Sequence, residues 1–542
     1  MAGMPVALQF AAGAALALAA WLVPRRVAGA RPAAPCVLLV DAAPIAFAFG
    51  LLSLATGRPV FAGFVALALG AAFALIDHTM RQTLREPVVF SAAVELPQVF
   101  THPHLYLPFA GSGLVIGGAG AATALGLTLL ILEPAAMAPH PLAAAGTAAL
   151  IAMVGWRAAH EPMLAAAATV LRRLGPSGEP VNDAARLGPF AMLLAHTVIA
   201  RAERGARWRA LAAPPVVRKP GDGRPAVIIV QCESFFDARR LGPRVPAALL
   251  GGFDACVRGS TMHGRFCVPA WGANTMRAEF GVLTGIPDSE LGYDRFNPYY
   301  ALARRPIRSQ VWRLRRAGYR TICLHPFDRR FFRRDLVMPA LGFEEFRGRE
   351  RLGGRHRPPY CPDPEFAGAI LDVLDEAGPD TFIFAITIGN HGPWQAAGPP
   401  LDPAVAGLFD PAELPEGTGL LRYLDGLRRS DAMLQLLLDG LERRGKPAVL
   451  AFYGDHLPSL SRAFVHFGFE EWSSDYAIWP GAGVPVHRDL PACELGRLVA
   501  DLALDDGDAV ALTGPDAYAA VREAASAAGP HFSTRPRCRS PR

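Results

Sequence analysis

The chain has 542 residues and eight cysteines, at 36, 232, 256, 267, 323, 361, 493 and 538, but no Cys-x-x-Cys pair. That absence removes a zinc ribbon and a redox dithiol from consideration. Cys256 and Cys267 lie close enough in sequence to bridge a loop in an oxidising compartment, though spacing alone does not decide it. A basic block is also missing. The formal charge of +6 is spread over many Arg, so no nucleic-acid surface is read from it; an anionic lipid surface is the better match. Charge of either sign is scarce. Only 19% of residues are charged and 51% are hydrophobic, with a mean hydropathy of +0.23, too apolar for an average soluble enzyme. The first apolar run is long and closes on Arg25 and Arg26 with no small-residue cleavage site, so a removable signal peptide is not expected.

What is present divides the chain in two. Apolar runs near 4–24, 35–56, 59–77, 107–132 and 140–158 approach the length of about 20 residues that a membrane-spanning helix needs. Five in succession argue for spans rather than buried globular helices. Arg in the short loops number three after the first run (Arg25, Arg26, Arg31), one after the second (Arg58) and two after the third (Arg81, Arg85). The positive-inside rule then puts the first and third loops in the cytoplasm, and with them the C-terminal half. Segment 78–106 could instead lie at the interface and remove Arg81 and Arg85 from the count. Further on, "RLGPFAMLLAHTVIARAERGARWR" holds an apolar run of about 14 residues between Arg, which suits an interfacial helix better than a span. "APPVVRKPGDGRP" reads as a linker. The expected organisation is a transmembrane domain over 1–160, an interfacial helix and linker over 161–224, a catalytic domain over 225–515 and a tail over 516–542.

In the C-terminal half, four short apolar runs share one layout. "AVIIVQCE" ends on Glu233, "TICLHP" passes into His325, "FAITIGNHGPW" into Asn390 and His391, and "VLAFYGDH" into Asp455 and His456. Uniformly apolar runs separated by helical segments mark strands buried on both faces of a parallel sheet. Polar groups just past the carboxyl ends are where open α/β sheets build their sites. Glu233, Asp455 and His456 offer the mixed oxygen and nitrogen donors of a divalent-cation site; carboxylate-rich ligation leans towards Mn²⁺ or Mg²⁺, with Zn²⁺ also compatible. "NTMRAEFGVLTGIP" reads as a helix capped by Asn274 and stopped by Gly285 and Pro287. Thr275 then lies in the first turn, where free amides favour an anion such as phosphate. If Asn274 alone capped the helix, Thr275 would have no task. The long helical stretch "YLDGLRRSDAMLQLLLDGLERRG" has its apolar residues on one face, and Asp431 within it reads as structural.

"VIIVQCESFFD", "WGANTMRAEFGVLTG", "LHPFDRRFFRRDLVMPALGFEEF", "ITIGNHGPW" and "FYGDHLP" occur in one order over roughly 224–505. In that order they resemble the lipoteichoic-acid-synthase-like phosphoglycerol transferases of the alkaline phosphatase and sulfatase superfamily. The resemblance implies a helical transmembrane bundle followed by an α/β sulfatase-like domain with a mostly parallel sheet. It implies Thr275 as nucleophile and metal ligand, with Glu233, Asp455 and His456 as the other ligands. His325, Arg334 and His391 would hold the phosphoglycerol group, His391 also moving a proton. The family usually shows Trp where this chain has Phe332, which loses one indole N–H contact and keeps a phosphoethanolamine headgroup in view. The expected activity moves phosphoglycerol from phosphatidylglycerol to a glycan or glycolipid acceptor. The enzyme would be a multi-pass protein of the cell (inner) membrane with its catalytic domain outside the cytoplasm, the reverse of the Arg count. A sulfatase-like hydrolase is a rival, but Cys267-Val-Pro-Ala leads to Trp271, not to the Arg of the sulfatase motif. A non-catalytic membrane protein that binds glycan or lipid is the alternative of another class.

Overall fold

The computed structural model describes residues 4–158, 162–214, 219–221, 223–352, 360–394 and 398–504. The end of the expected catalytic domain and the expected tail, 505–542, lie outside the described residues. The chain divides into two compact units, Met1–Ala206 and Arg207–Arg542.

Helices build the first unit. Among the described residues, four helices are long and apolar enough to cross a membrane: Val6–Val27, Pro35–Thr56, Pro59–Leu84 and Ser112–Leu132. The fifth expected span is the helix Pro141–Ala158, 18 residues long. The first and third helices meet through small residues. A Cβ on Gly63 would lie 2.2 Å from the Gly13 carbonyl oxygen, and one on Gly70 would lie 2.4 Å from that of Ala20. Lipid gives helices no hydrophobic reason to associate, so close backbone approach and van der Waals contact must hold them. Two buried acids cap helix starts. Glu133 accepts the Val60 and Phe61 N–H groups at 2.9 and 2.6 Å, and Asp41 accepts those of Phe190 and Ala191, both at 2.9 Å. Asp41 also takes the Trp21 indole N–H and the Arg25 guanidinium, at 2.8 and 2.7 Å. The run read as interfacial is part of one helix, Pro189–Leu211. Its His196 is fully buried against Asp183, 2.8 Å away.

A nine-stranded sheet forms the second unit, in the order β4-β3-β5-β1-β6-β7-β2-β8, with β9 also paired to β2. The strands are β1 (Ala226–Cys232), β2 (Met262–Cys267), β3 (Arg320–Leu324), β4 (Glu345–Arg347), β5 (Thr381–Ile386), β6 (Ala448–Gly454), β7 (Ser473–Trp479), β8 (Val486–His487) and β9 (Leu490–Pro491). The four runs picked out in the sequence are β3, β5, β1 and β6, adjacent and parallel. Among the described strands of this sheet, antiparallel pairing occurs only where β7 meets β6 and β2. Side chains alternate between two cores: Ile228, Val230 and Cys232 enter one cluster and Val227 and Ile229 the other. Covered on both faces, β1 is apolar except for Gln231 near its end. The helix Gly417–Arg444 packs its apolar face into the first cluster. Asp431 upon it accepts the Gly252 and Phe253 N–H groups at 2.8 and 2.7 Å, a structural cap. Cys256 is a free, buried thiol, so the bridge to Cys267 is not formed.

Gly63→Leu should lower the melting temperature of the detergent-solubilised protein, by overpacking worth about 1–3 kcal/mol. Gly117→Leu, at a position with nothing within 4 Å of the added Cβ, should leave it unchanged. Equal behaviour of the two in a thermal melt would contradict the helix contact.

Candidate metal centre and active site

The turn after β1 assembles the centre. Ser234 follows Glu233 in the left-handed region, at φ 54°, a conformation a non-glycine residue holds only when its surroundings insist. They do. Its N–H donates to Asp455 Oδ1 at 2.8 Å, its hydroxyl to Glu233 Oε1 at 2.8 Å, and its carbonyl accepts from the Tyr423 hydroxyl at 2.8 Å. At the end of β6, a Cβ on Gly454 would lie 1.8 Å from the Phe235 carbonyl oxygen, so only glycine lets the two strand ends approach.

Glu233, Asp455 and His456 then present one ligand atom each, all within 4.8 Å of one another and all buried. His456 Nε2 is 3.4 Å from Glu233 Oε1 and 3.4 Å from Asp455 Oδ2. Its Nδ1 donates to the Leu457 carbonyl at 2.9 Å, which fixes the tautomer and turns the Nε2 lone pair towards the carboxylates. Asp455 Oδ2 is buried and has no hydrogen-bond partner among the described residues. Burial pushes the Asp455 carboxyl up to about 7; His456 opposes that rise and Glu233 adds to it. For His456, burial favours the neutral ring, but the Asp455 and Glu233 carboxylates outweigh it and raise its pKa. Buried carboxylates that repel each other, an aimed imidazole and an orphaned oxygen are the donor set a divalent cation stabilises. The residues fit a metal.

Thr275 joins this group. The helix begins at Thr275 as expected and ends at Gly285, in the left-handed region at φ 69°. The expected cap is corrected: Asn274 makes no side-chain cap hydrogen bond and is itself left-handed, at φ 62°. Ala273 before it is left-handed too, at φ 64°. Thr275 Oγ1 lies 3.4 Å from His456 Nε2.

A second polar group lies beside the first, where β3 and β5 end. Arg334 is 2% exposed, not on a solvated basic face. Glu279 grips its Nε and Nη2 at 3.0 and 2.8 Å, and its Nη1 reaches His325 Nε2 at 3.3 Å. Phe332 stacks on the guanidinium, 5.3 Å from ring centroid to Cζ. His391 is half-buried; its Nδ1 donates to the Gly392 carbonyl at 2.6 Å and its ring lies 5.7 Å from Tyr360. The loop before it is pinned by Asp363, which accepts from the Gly389 N–H at 3.1 Å and the Ser430 hydroxyl at 2.6 Å. Burial pushes the Asp363 carboxyl up to about 6.

Every expected site residue therefore follows one of β3, β5, β1 and β6 or begins a helix, Thr275 its own and Arg334 the helix Arg334–Leu341. Ser234 and Glu279 were not anticipated. Glu279 had a signal: it follows Thr275 by four residues in a helix whose neighbours are mostly apolar, so both share one face.

The fold and the site define a membrane-helix protein with a metal-type centre on an open α/β sheet. Residues 225–483 match the family model described as Sulfatase. The capsular polysaccharide biosynthesis protein RkpI of Rhizobium meliloti (strain 1021) is 28% identical over 466 residues, 80% of this chain and 80% of that protein. Among solved structures, lipoteichoic acid synthase LtaP from Listeria monocytogenes is 21% identical, covering 57% of this chain and 79% of its own, with a TM-score of 0.41. Lipooligosaccharide phosphoethanolamine transferase A from Neisseria meningitidis is 14% identical, covering 90% of this chain and 95% of its own, with a TM-score of 0.48.

Ser234→Ala removes the hydroxyl that orients Glu233 while leaving all proposed ligands in place. Loss of such a supporting hydrogen bond should weaken metal affinity about 10–100-fold, read as metal retained after dialysis against a graded chelator. Unchanged retention would contradict the arrangement.

Proposed function

We propose that the protein is a metal-dependent transferase that moves phosphoglycerol from phosphatidylglycerol to an extracytoplasmic glycan or glycolipid, through an ester on Thr275. One observation carries this reading: the Thr275 hydroxyl lies 3.4 Å from His456 Nε2, within the group formed by His456, Glu233 and Asp455. A hydroxyl is a weak nucleophile unless something draws off its proton. A cation held by Glu233, Asp455, His456 and Thr275, Mn²⁺ foremost on the donor set, would favour the alkoxide and neutralise phosphate charge.

In the first half-reaction, Thr275 Oγ forms the bond to phosphorus and the bond from phosphorus to diacylglycerol oxygen breaks, the threonine proton ending on diacylglycerol. The start of the Thr275 helix offers backbone N–H groups towards the phosphate oxygens. Arg334 and His391, with His325 against the guanidinium, form the headgroup end of the site. In the second half-reaction an acceptor hydroxyl attacks the same phosphorus and the Thr275 ester bond breaks. His391, the more open of the two histidines, takes the acceptor proton, and a proton returns to the released Thr275 oxygen to restore the free enzyme. The name of the Rhizobium relative supports a cell-envelope glycan as acceptor, and four membrane-length helices support work at a lipid surface. Glycan acceptors of this chemistry lie outside the cytoplasm, which supports placing the domain on the outer side of the cell (inner) membrane.

A phosphoethanolamine donor is the second reading, because the Phe332 ring brings no polar hydrogen to a glycerol hydroxyl. Phosphatidylglycerol and phosphatidylethanolamine labelled in the headgroup, offered one at a time in vesicles, separate the two; label transfer from phosphatidylglycerol is expected. Thr275→Ala should abolish transfer yet melt within a few degrees of wild type, since the change costs about 1 kcal/mol. Full activity in that variant would overturn the nucleophile.

A further inference from the structure

One turn along the Thr275 helix, the second polar group carries more order than holding a headgroup requires. Glu279 is fully buried and accepts from four donors. Arg334 Nε and the Tyr299 hydroxyl reach Oε1, and Arg334 Nη2 and Gln231 Nε2 reach Oε2, the last at 3.0 Å. Gln231 is in turn held by the Tyr453 hydroxyl. On the far side of the guanidinium stands His325, with Nε2 at 3.3 Å from Arg334 Nη1 and Nδ1 at 3.1 Å from the Ile386 carbonyl oxygen.

The chemistry of these partners settles the histidine tautomer. A carbonyl oxygen only accepts, so Nδ1 carries the hydrogen. A guanidinium only donates, so Nε2 offers its lone pair. Both ring nitrogens are thereby engaged, and the ring is neutral. Burial, with the Arg334 charge beside it, pushes the His325 pKa well below its ordinary value, which agrees. Arg334 is not exhausted. Of the five N–H groups of a guanidinium, the contacts to Glu279 and His325 use those of Nε, one on Nη2 and one on Nη1. One N–H remains on each terminal nitrogen, enough for a two-point contact with phosphate oxygens.

We propose that Glu279 and His325 are positioning residues that clamp Arg334 from two sides, and that Arg334, not His325, is the group of this pair that meets the donor phosphate. Placement follows from the helix. Thr275 and Glu279 are one turn apart on a common face, so the element that presents the nucleophile also aims the arginine. This division of labour rests on the transferase reading above, but its first test does not.

The test uses the full-length protein in detergent with ¹⁵N-labelled histidine. The His325 signals are identified by their loss in His325→Gln. The expected spectrum, without substrate at neutral pH, has a protonated Nδ1 and an unprotonated Nε2. A protonated Nε2, in either the other tautomer or the imidazolium, would overturn the clamp whatever the enzyme transfers. The second arm is kinetic. Glu279→Gln keeps the shape and removes the charge that orients the guanidinium, so KM for phosphatidylglycerol should rise about tenfold with kcat changed less than about threefold. A fall in kcat at constant KM, or no change in either, would also overturn it. The expected tautomer in a protein that transfers nothing from phosphatidylglycerol would leave the clamp standing and sink the transferase reading.

Discussion

Two carboxylates held side by side out of water are the constraint around which the catalytic domain is arranged. Glu233 and Asp455 lie 4% and 1% exposed, where like charges repel through a poor dielectric and neither is well solvated. The parallel sheet brings them together because both follow strands, β1 and β6, that are neighbours in register from Ala226 and Ala448 to Cys232 and Gly454. The strand ends alone would leave the acids mobile. The left-handed turn at Ser234 ties each to the other through one N–H and one hydroxyl, and Gly454 permits the close approach this needs. Orientation therefore comes from the fold before any ligand arrives, which is what a metal centre requires of its supporting residues.

Glu279 and Arg334 solve a related problem differently. They are an ion pair so deeply buried that losing either partner would strand the other, at a cost of about 3–5 kcal/mol. The pair is held further by Tyr299, Gln231 and His325, with one N–H left on each terminal nitrogen of Arg334. Such a network is costly to build and rigid once built. Rigidity has a use if the arginine must be aimed before a lipid headgroup enters, because a long flexible cation loses side-chain freedom when it is fixed.

Much of this was legible in the sequence, for a physical reason. Strands covered on both faces read as unbroken apolar runs, so the first polar residues after them stand out. That is why Glu233, His325, His391, Asp455 and His456 could be picked without coordinates. Asn274 misled because Asn favours both a helix cap and the left-handed region; here it takes the second role, and its side chain makes no cap bond. Arg334 sat among Arg329, Arg330 and Arg333, and nothing local distinguished the one that is buried. Glu279 could have been found from its four-residue spacing to Thr275, but its partners Gln231, Tyr299 and Arg334 come from distant sequence. In the membrane unit, hydropathy located four spans well. The fifth apolar run is a helix as well, Pro141–Ala158.

The central claim is that the Thr275 oxygen carries the headgroup between donor and acceptor. It is tested most directly by mixing metal-loaded full-length protein with phosphatidylglycerol vesicles and no acceptor, quenching in acid, and mapping the modified peptide by mass spectrometry. The account predicts that the peptide containing Thr275 gains the mass of one phosphoglycerol, with fragment ions that place it on that residue. Turnover of the lipid with Thr275 unmodified, or with the adduct on another side chain, would contradict it.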